Sequence, residues 1–185
     1  MEALRDVWYG KADVGDGADV VDREELDPWQ KFAHDIVMEK CSEREQKLNG
    51  LEPALRDYKP LRLLVSGSAG TGKSRTVRSF VKSLRRVVRE HGRSEEVVQG
   101  CTILAAPTGC ASFQMKFGAT TVHRAFGIQP SQYCGPTLNR QSPYFLARVR
   151  RLRAARLYVL DEFSMIGRQQ LGRVEFRVKE ALPSA

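Results

Sequence analysis

Residues Gly67-Ser68-Ala69-Gly70-Thr71-Gly72-Lys73-Ser74 set glycines, a lysine and a hydroxyl in the order G-x-x-x-x-G-K-[ST]. Glycines let backbone N–H groups turn inward around phosphate oxygens. Lys73 neutralises the β and γ charges of a nucleoside triphosphate, and the Ser74 hydroxyl ligates Mg²⁺. This is a P-loop pattern, and its chance occurrence in a chain of this composition is roughly 1% or less. A second set of oxygens follows later, where Asp161-Glu162 ends the apolar run Leu157-Tyr158-Val159-Leu160. Two carboxylates at a strand end stand at the C-terminal edge of a sheet, where α/β proteins bind ligands. There Asp161 would hold Mg²⁺, and Glu162 would orient or deprotonate the water that attacks the γ-phosphorus. An Asp-Glu pair after a strand is also a helix N-terminus signal. The P-loop earlier in the chain favours the catalytic reading of this Walker B pattern, and no guanine-reading N-K-x-D is present.

These groups need elements to hold them. Leu61 to Ser66 is a short apolar run that breaks into the glycines, and it predicts a strand. From Lys73 to about His91 the pattern is helical, with Val77, Phe80, Val81, Leu84, Val87 and Val88 on one face. Strand, glycine loop and helix together aim a helix N-terminus at an anion. Cys101 to Ala106 is a second buried-strand candidate, ending at Pro107-Thr108-Gly109. Leu157 to Leu160 is a third, after an Arg-rich helical stretch from about Pro143 to Arg156. Strands alternating with helices predict an α/β fold with a parallel sheet covered on both faces. Upstream, Asp27 as N-cap and Pro28 as first residue open a helix that fades by about Gly50. Gln30 lies three residues after Asp27, so it either closes a capping box or offers its amide, donor and acceptor at once, to adenine.

Length and composition bound the rest. A chain of 185 residues with 42% hydrophobic and 28% charged residues is expected to be one globular domain. Residues 1–25 read as a flexible acidic leader and 26–185 as the domain. No run approaches the ~18 apolar residues of a membrane span. The N-terminus resembles neither a secretory signal nor a transit peptide, which points to an intracellular protein. Cys41, Cys101, Cys110 and Cys134 are too widely spaced for a C-x-x-C metal pattern and read as reduced thiols. Residues 1–60 hold 9 Lys+Arg against 15 Asp+Glu, whereas residues 61–185 hold 21 against 7. That asymmetry suits either a polyanion partner or a solvated basic surface.

Taken in order, Leu26-Asp27-Pro28-Trp29-Gln30, the P-loop, Leu104 to Ala111, Gly118 to His123 and Val159 to Ile166 resemble successive motifs of the petite-integration-frequency DNA helicases. These are superfamily-one enzymes that move 5′ to 3′ on single strands. The resemblance covers about residues 26–175 and implies a RecA-like P-loop NTPase domain that uses ATP and Mg²⁺ to unwind DNA. It implies roles in repair, recombination and telomere maintenance, in the nucleus or mitochondrion. It places the adenine-reading glutamine on Gln30 and single-strand DNA contacts on Pro107, Thr108, Gly109, Ala111, Thr121 and His123. A threonine hydroxyl and a glycine N–H can hold a phosphate, and a neutral histidine can bond or stack, although His123 alone also reads as a satisfied structural histidine. Phe113, Phe117 and Phe126 read as core side chains in preference to stacking platforms for bases. The family's γ-phosphate-sensing glutamine motif and second motor domain are not found in Gly167 to Ala185, so the chain is expected to be truncated after the Walker B strand and its following helix. The resemblance also implies that Leu61 to Ser66 and Leu157 to Leu160 do not pair directly.

Overall fold

A computed structural model describes residues 21–49, 59–129 and 141–182. The Gly/Asp-rich part of the expected leader lies outside them. A 3₁₀ turn at Arg23–Glu25 precedes α1 (Pro28–Asn49), α2 (Lys73–Glu90), α3 (Glu95–Gly100), β1 (Thr102–Ala106), α4 (Gly109–Met115), β2 (Thr120–Thr121) and α5 (Val122–Phe126). Then come α6 (Pro143–Ala154), β3 (Leu157–Leu160), a 3₁₀ turn at Phe163–Met165, and α7 (Arg168–Ala181). No helix among the described residues is long and apolar enough to cross a membrane.

The chain forms two compact units, one from Asp16–Thr102 with Ala154–Leu157, the other from Ile103–Arg153 with Tyr158–Leu182. In the first unit α1 packs on α2. The expected apolar face of α2 delivers Phe80, Val81, Leu84 and Val88 into the interior, with Val77 and Val87 half-buried at its margin. Phe80, Leu84 and Val88 meet Val37 and Cys41 from α1, together with Val98 and Cys101. Burial of such side chains, ~1.5–3 kcal/mol each, is what holds two helices together. Two polar groups are enclosed in the same unit. His34 Nε2 lies 2.9 Å from Ser83 Oγ across the α1–α2 contact. Glu45, fully buried, accepts from Arg93 at 3.2 Å and from Arg156.

The second unit carries the sheet, in the order β2-β1-β3. β1 and β2 are parallel, with Ala105 opposite Thr120 and Ala106 opposite Thr121. On the other side Leu157 N donates to Cys101 O and Asp161 N to Ala105 O. Those partners rise together in number, so this pairing is parallel as well. The expected α/β class with a parallel sheet and flanking helices is therefore observed. Ile103 to Ala106, Val122, Phe126 and Leu152 fill the core, and Phe126 stacks on Tyr158 with ring centroids 6.3 Å apart.

The strand expected at Leu61–Ser66 does not form. Residues 61–66 are in no strand and make no ladder hydrogen bonds among the described residues, and Leu61, Leu63, Leu64 and Val65 are exposed. A strand exists through its neighbours, since its N–H and C=O groups need partners that propensity cannot supply. The sheet consists of β2, β1 and β3 without this run, so the expected spacing from Leu157–Leu160 has no strand at 61–66 to apply to.

Candidate functional site

In the first unit, the start of α1 reaches the glycine loop. Asp27 Oδ1 accepts from Trp29 N at 2.9 Å and Gln30 N at 3.0 Å, and Gln30 Oε1 accepts from Asp27 N at 3.3 Å, which completes the capping box. The other end of the same amide is also engaged, because Gln30 Nε2 donates to the carbonyl of Thr71 at 3.0 Å. One amide N–H and one carbonyl lone pair of Gln30 remain for another partner. Capping and proximity to the nucleotide loop thus coexist in one side chain.

The loop itself is built on backbone that side chains would spoil. Gly70 and Gly72 have φ of 81° and 78°, a region costly for residues bearing a Cβ. A Cβ at Gly67 would lie 2.6 Å from Thr71 Oγ1, and one at Gly72 would lie 2.5 Å from Gln30 Nε2. Thr71 Oγ1 donates to Ser68 O at 2.9 Å, while Lys73 Nζ donates to Gly67 O and Ser68 O at 2.8 Å each. The lysine is therefore folded over its own loop, at the place where phosphate oxygens would take over from carbonyls. Helix α2 begins there with neither a side-chain cap nor an acidic residue in its first turn, so its N-terminal N–H groups and dipole face an anion unopposed. Ala69 and Ser74 are exposed beside it. A cradle that a Cβ would fill, a lysine over it and a bare helix N-terminus fit a triphosphate, with the Ser74 hydroxyl a hard oxygen donor suited to Mg²⁺.

In the second unit, three strand ends meet one edge of the sheet. Pro107-Thr108 follows β1, Thr121 ends β2, and Asp161 follows β3; adjacent parallel strands lie ~4.8 Å apart, so all three fall within roughly 10 Å across the sheet. Thr108 Oγ1 accepts from Ala111 N at 3.2 Å and caps α4, and Thr121 Oγ1 accepts from Arg124 N at 3.4 Å and caps α5. Each hydroxyl keeps its own hydrogen to donate. Gly109 is exposed, with open space where a Cβ would stand. His123 is half-buried, and Gln170 Nε2 of α7 lies 3.4 Å from each of its ring nitrogens. Gln170 carried no signal in the sequence, because nothing in its local pattern distinguishes it from a solvated helical glutamine.

One of the two carboxylates, Glu162, sits on left-handed backbone. Asp161 Oδ1 accepts from Glu162 N at 2.9 Å, and Glu162 adopts φ 50°, ψ 43°, a left-handed conformation uncommon for a residue with a side chain. A second strained stretch joins α4 to β2, where Lys116 (φ 60°, ψ −158°), Phe117 (φ 51°) and Gly118 (φ 73°) all have positive φ. Non-glycine residues in such conformations cost ~1–3 kcal/mol each and persist only where their surroundings over-determine them. Only Gly118 advertises this turn in the sequence. Of the three phenylalanines expected inside, Phe126 is fully buried and Phe117 half-buried, but Phe113 is 85% exposed. Helix α4 turns Ser112 and Met115 inward, and at 100° per residue Phe113 then falls on the outer face.

No curated protein and no solved structure matches the chain. Residues 54–177 match the family model described as an AAA domain (AAA_19), a span that runs from just before the P-loop to beyond the Walker B carboxylates. The chain belongs to this family of P-loop NTPases, which is found in superfamily-one helicases and whose fold implies a nucleoside triphosphate with Mg²⁺.

Proposed function

We propose that this P-loop NTPase is an ATP-dependent DNA helicase of the petite-integration-frequency type, travelling 5′ to 3′ on a single strand. Gly67 to Ser74 would hold the phosphates, with Lys73 as their counter-charge. Gln30 would read adenine with its spare N–H and lone pair. Ser74 and Asp161 would hold Mg²⁺, which neutralises phosphate charge when bound, and Glu162 would take the proton of the attacking water. Pro107, Thr108, Gly109, Ala111, Thr121 and His123 would grip the DNA backbone. The observation that carries this reading is the shared sheet edge: Thr108, Thr121 and Asp161 end three neighbouring parallel strands of one unit. Residues that grip DNA are then mechanically continuous with those that meet the γ-phosphate, as coupling of hydrolysis to movement requires.

The deciding experiment measures ATP hydrolysis by the full chain with and without single-stranded DNA, beside Lys73→Ala. DNA-stimulated turnover that vanishes in Lys73→Ala supports the reading, and stimulation by no nucleic acid points to another P-loop ATPase. A second reading, an ATP- and DNA-binding module without turnover, draws on the unpaired run at Leu61–Ser66. That run leads into the P-loop, and without a ladder the loop is held less firmly for in-line attack. Binding of both ligands with no hydrolysis would select it.

A further inference from the structure

We propose that Phe113 is a stacking platform for a nucleobase of a single strand lying along α4 and the turn after it. This rests on the reading of the Pro107–Ala111 segment as a DNA contact and adds a base-contacting side chain to it. Phe113 is the most exposed large apolar side chain among the described residues, at 85%. It projects from a seven-residue helix whose first residue, Gly109, belongs to that segment. Leaving a phenyl ring in water forgoes its burial, and the surroundings do not suit a protein core as the occupant. From Val97 to Leu160 the sequence contains no Asp or Glu, and Lys116 and Arg124 are the cations of this stretch nearest Phe113 in sequence on the downstream side.

Within the packed cluster of α4, β2 and α5, Lys116 and Arg124 are both exposed. Lys116 is fixed three residues from Phe113 by the strained turn, its N–H bonded to Phe113 O at 3.3 Å. A flat apolar ring on the same packed cluster as two exposed cations complements a ligand that is anionic along its backbone and aromatic on its side groups. That is single-stranded nucleic acid, which proteins hold by an electrostatic groove with aromatic platforms. A duplex hides its base faces, so the platform selects the single strand. Phosphate contacts alone supply no reason for an exposed ring.

The test compares the full chain with Phe113→Ala and Phe113→Tyr, titrated with a single-stranded oligonucleotide bearing fluorescent 2-aminopurine and with an abasic oligonucleotide of equal length and charge. Base–aromatic stacking is worth ~1–3 kcal/mol per base, so Phe113→Ala should weaken binding about 5- to 150-fold and abolish the stacking quench. Phe113→Tyr should restore both. The dependence of affinity on salt should not change, because no phosphate contact is lost. The abasic strand should bind both proteins equally. Wild-type affinity in Phe113→Ala, with binding otherwise salt-dependent, overturns the platform and leaves the DNA reading intact. Failure of the parent chain to bind either oligonucleotide overturns both. Circular dichroism of Phe113→Ala should match the parent, since the side chain supports no core contact at this exposure.

Discussion

Gln30 Nε2 donates to the carbonyl of Thr71 at 3.0 Å, while its Oε1 closes the capping box on Asp27. One amide therefore ties the start of α1 to the P-loop, 41 residues on. Any partner that takes the remaining N–H and lone pair of Gln30 is read by a group already fixed against the phosphate loop. Gln30→Ala removes the tether but leaves Asp27 its bonds to Trp29 N and to the backbone of residue 30. A net hydrogen bond is worth ~0.5–1.5 kcal/mol, so triphosphate affinity should fall about 2- to 12-fold. Titration with ATP and GTP separates the two roles of this amide. Loss shared by both nucleotides marks the tether alone, and loss confined to ATP marks adenine reading.

Gly72 has φ 78°, and the Cβ of an alanine there would come 2.5 Å from Gln30 Nε2. Gly72→Ala meets both a left-handed backbone, ~1–2 kcal/mol, and the tethering amide. For a domain of this size the melting temperature should fall about 2–8 °C, and nucleotide affinity should fall at least as far as in Gln30→Ala. Gly70 has a similar φ of 81° but open space around it, so Gly70→Ala should show the backbone cost alone. Equal melting temperatures for Gly72→Ala and Gly70→Ala would contradict the contact with Gln30.

The sequence made the chemistry legible and the scaffold only partly so. Helices with a long period or a clear cap and two buried apolar strands came through: α1, α2, α6, β1 and β3 start or stop within a residue or two of the expected points. Gly67 to Gly72 form a loop that leads into α2 at Lys73, and Asp161-Glu162 follow β3, because each stretch is a local pattern. Short helices and the two-residue strand were not legible. Helices α3, α4 and α5 and the two-residue β2 are too brief for periodicity and are set by caps such as Thr108 and Thr121, whose hydroxyls accept from Ala111 N and Arg124 N. The apolar run at 61–66 has the composition of a strand, but a ladder depends on residues distant in sequence. For Phe113 the orientation of α4, which turns Ser112 and Met115 inward, decides burial over residue type.

Glu45, on α1, is fully buried and is held by Arg93 and Arg156. Removing one partner of a buried pair leaves the other charged and unsatisfied, at ~3–5 kcal/mol. Glu45→Ala should lower the unfolding free energy by that amount, a large part of the ~5–15 kcal/mol available to a domain. Urea denaturation reads this as a lower midpoint at similar slope. Glu45→Gln, which keeps an acceptor, should lose less.

Burial raises the thiol of Cys41 to about 11 and that of Cys101 to about 12. The fold favours the neutral thiols, so their contribution is fully present below the ordinary value of 9.0 and is lost as pH rises toward 11 and 12. Stability of the first unit should therefore be flat through pH 8 and decline above about pH 9. Cys41→Ala/Cys101→Ala should be less stable at pH 7 yet lose less on going to pH 10.5. At pH 8 iodoacetamide should modify exposed Cys110 first and reach Cys41 and Cys101 only in denaturant.

Glu162 stands in left-handed backbone at φ 50°, ψ 43°, directly after a carboxylate that accepts its N–H. A glutamate has no local reason to sit there, since its Cβ opposes the following carbonyl at ~1–2 kcal/mol. Glycine would occupy the position without that cost, so stability and the proposed general base pull in opposite directions. Glu162→Gly should hold or raise the melting temperature, by about 2–4 °C for ~1 kcal/mol, while kcat for ATP falls ~10²- to 10⁴-fold, the usual worth of a positioned base. Glu162→Gln should show the same loss of turnover without the gain in stability, because it keeps the Cβ. Both should bind nucleotide like the parent, since the phosphate cradle is built from Gly67 to Ser74. A Glu162→Gly protein that melts lower and turns over normally would show that the strain serves packing and that the base lies elsewhere.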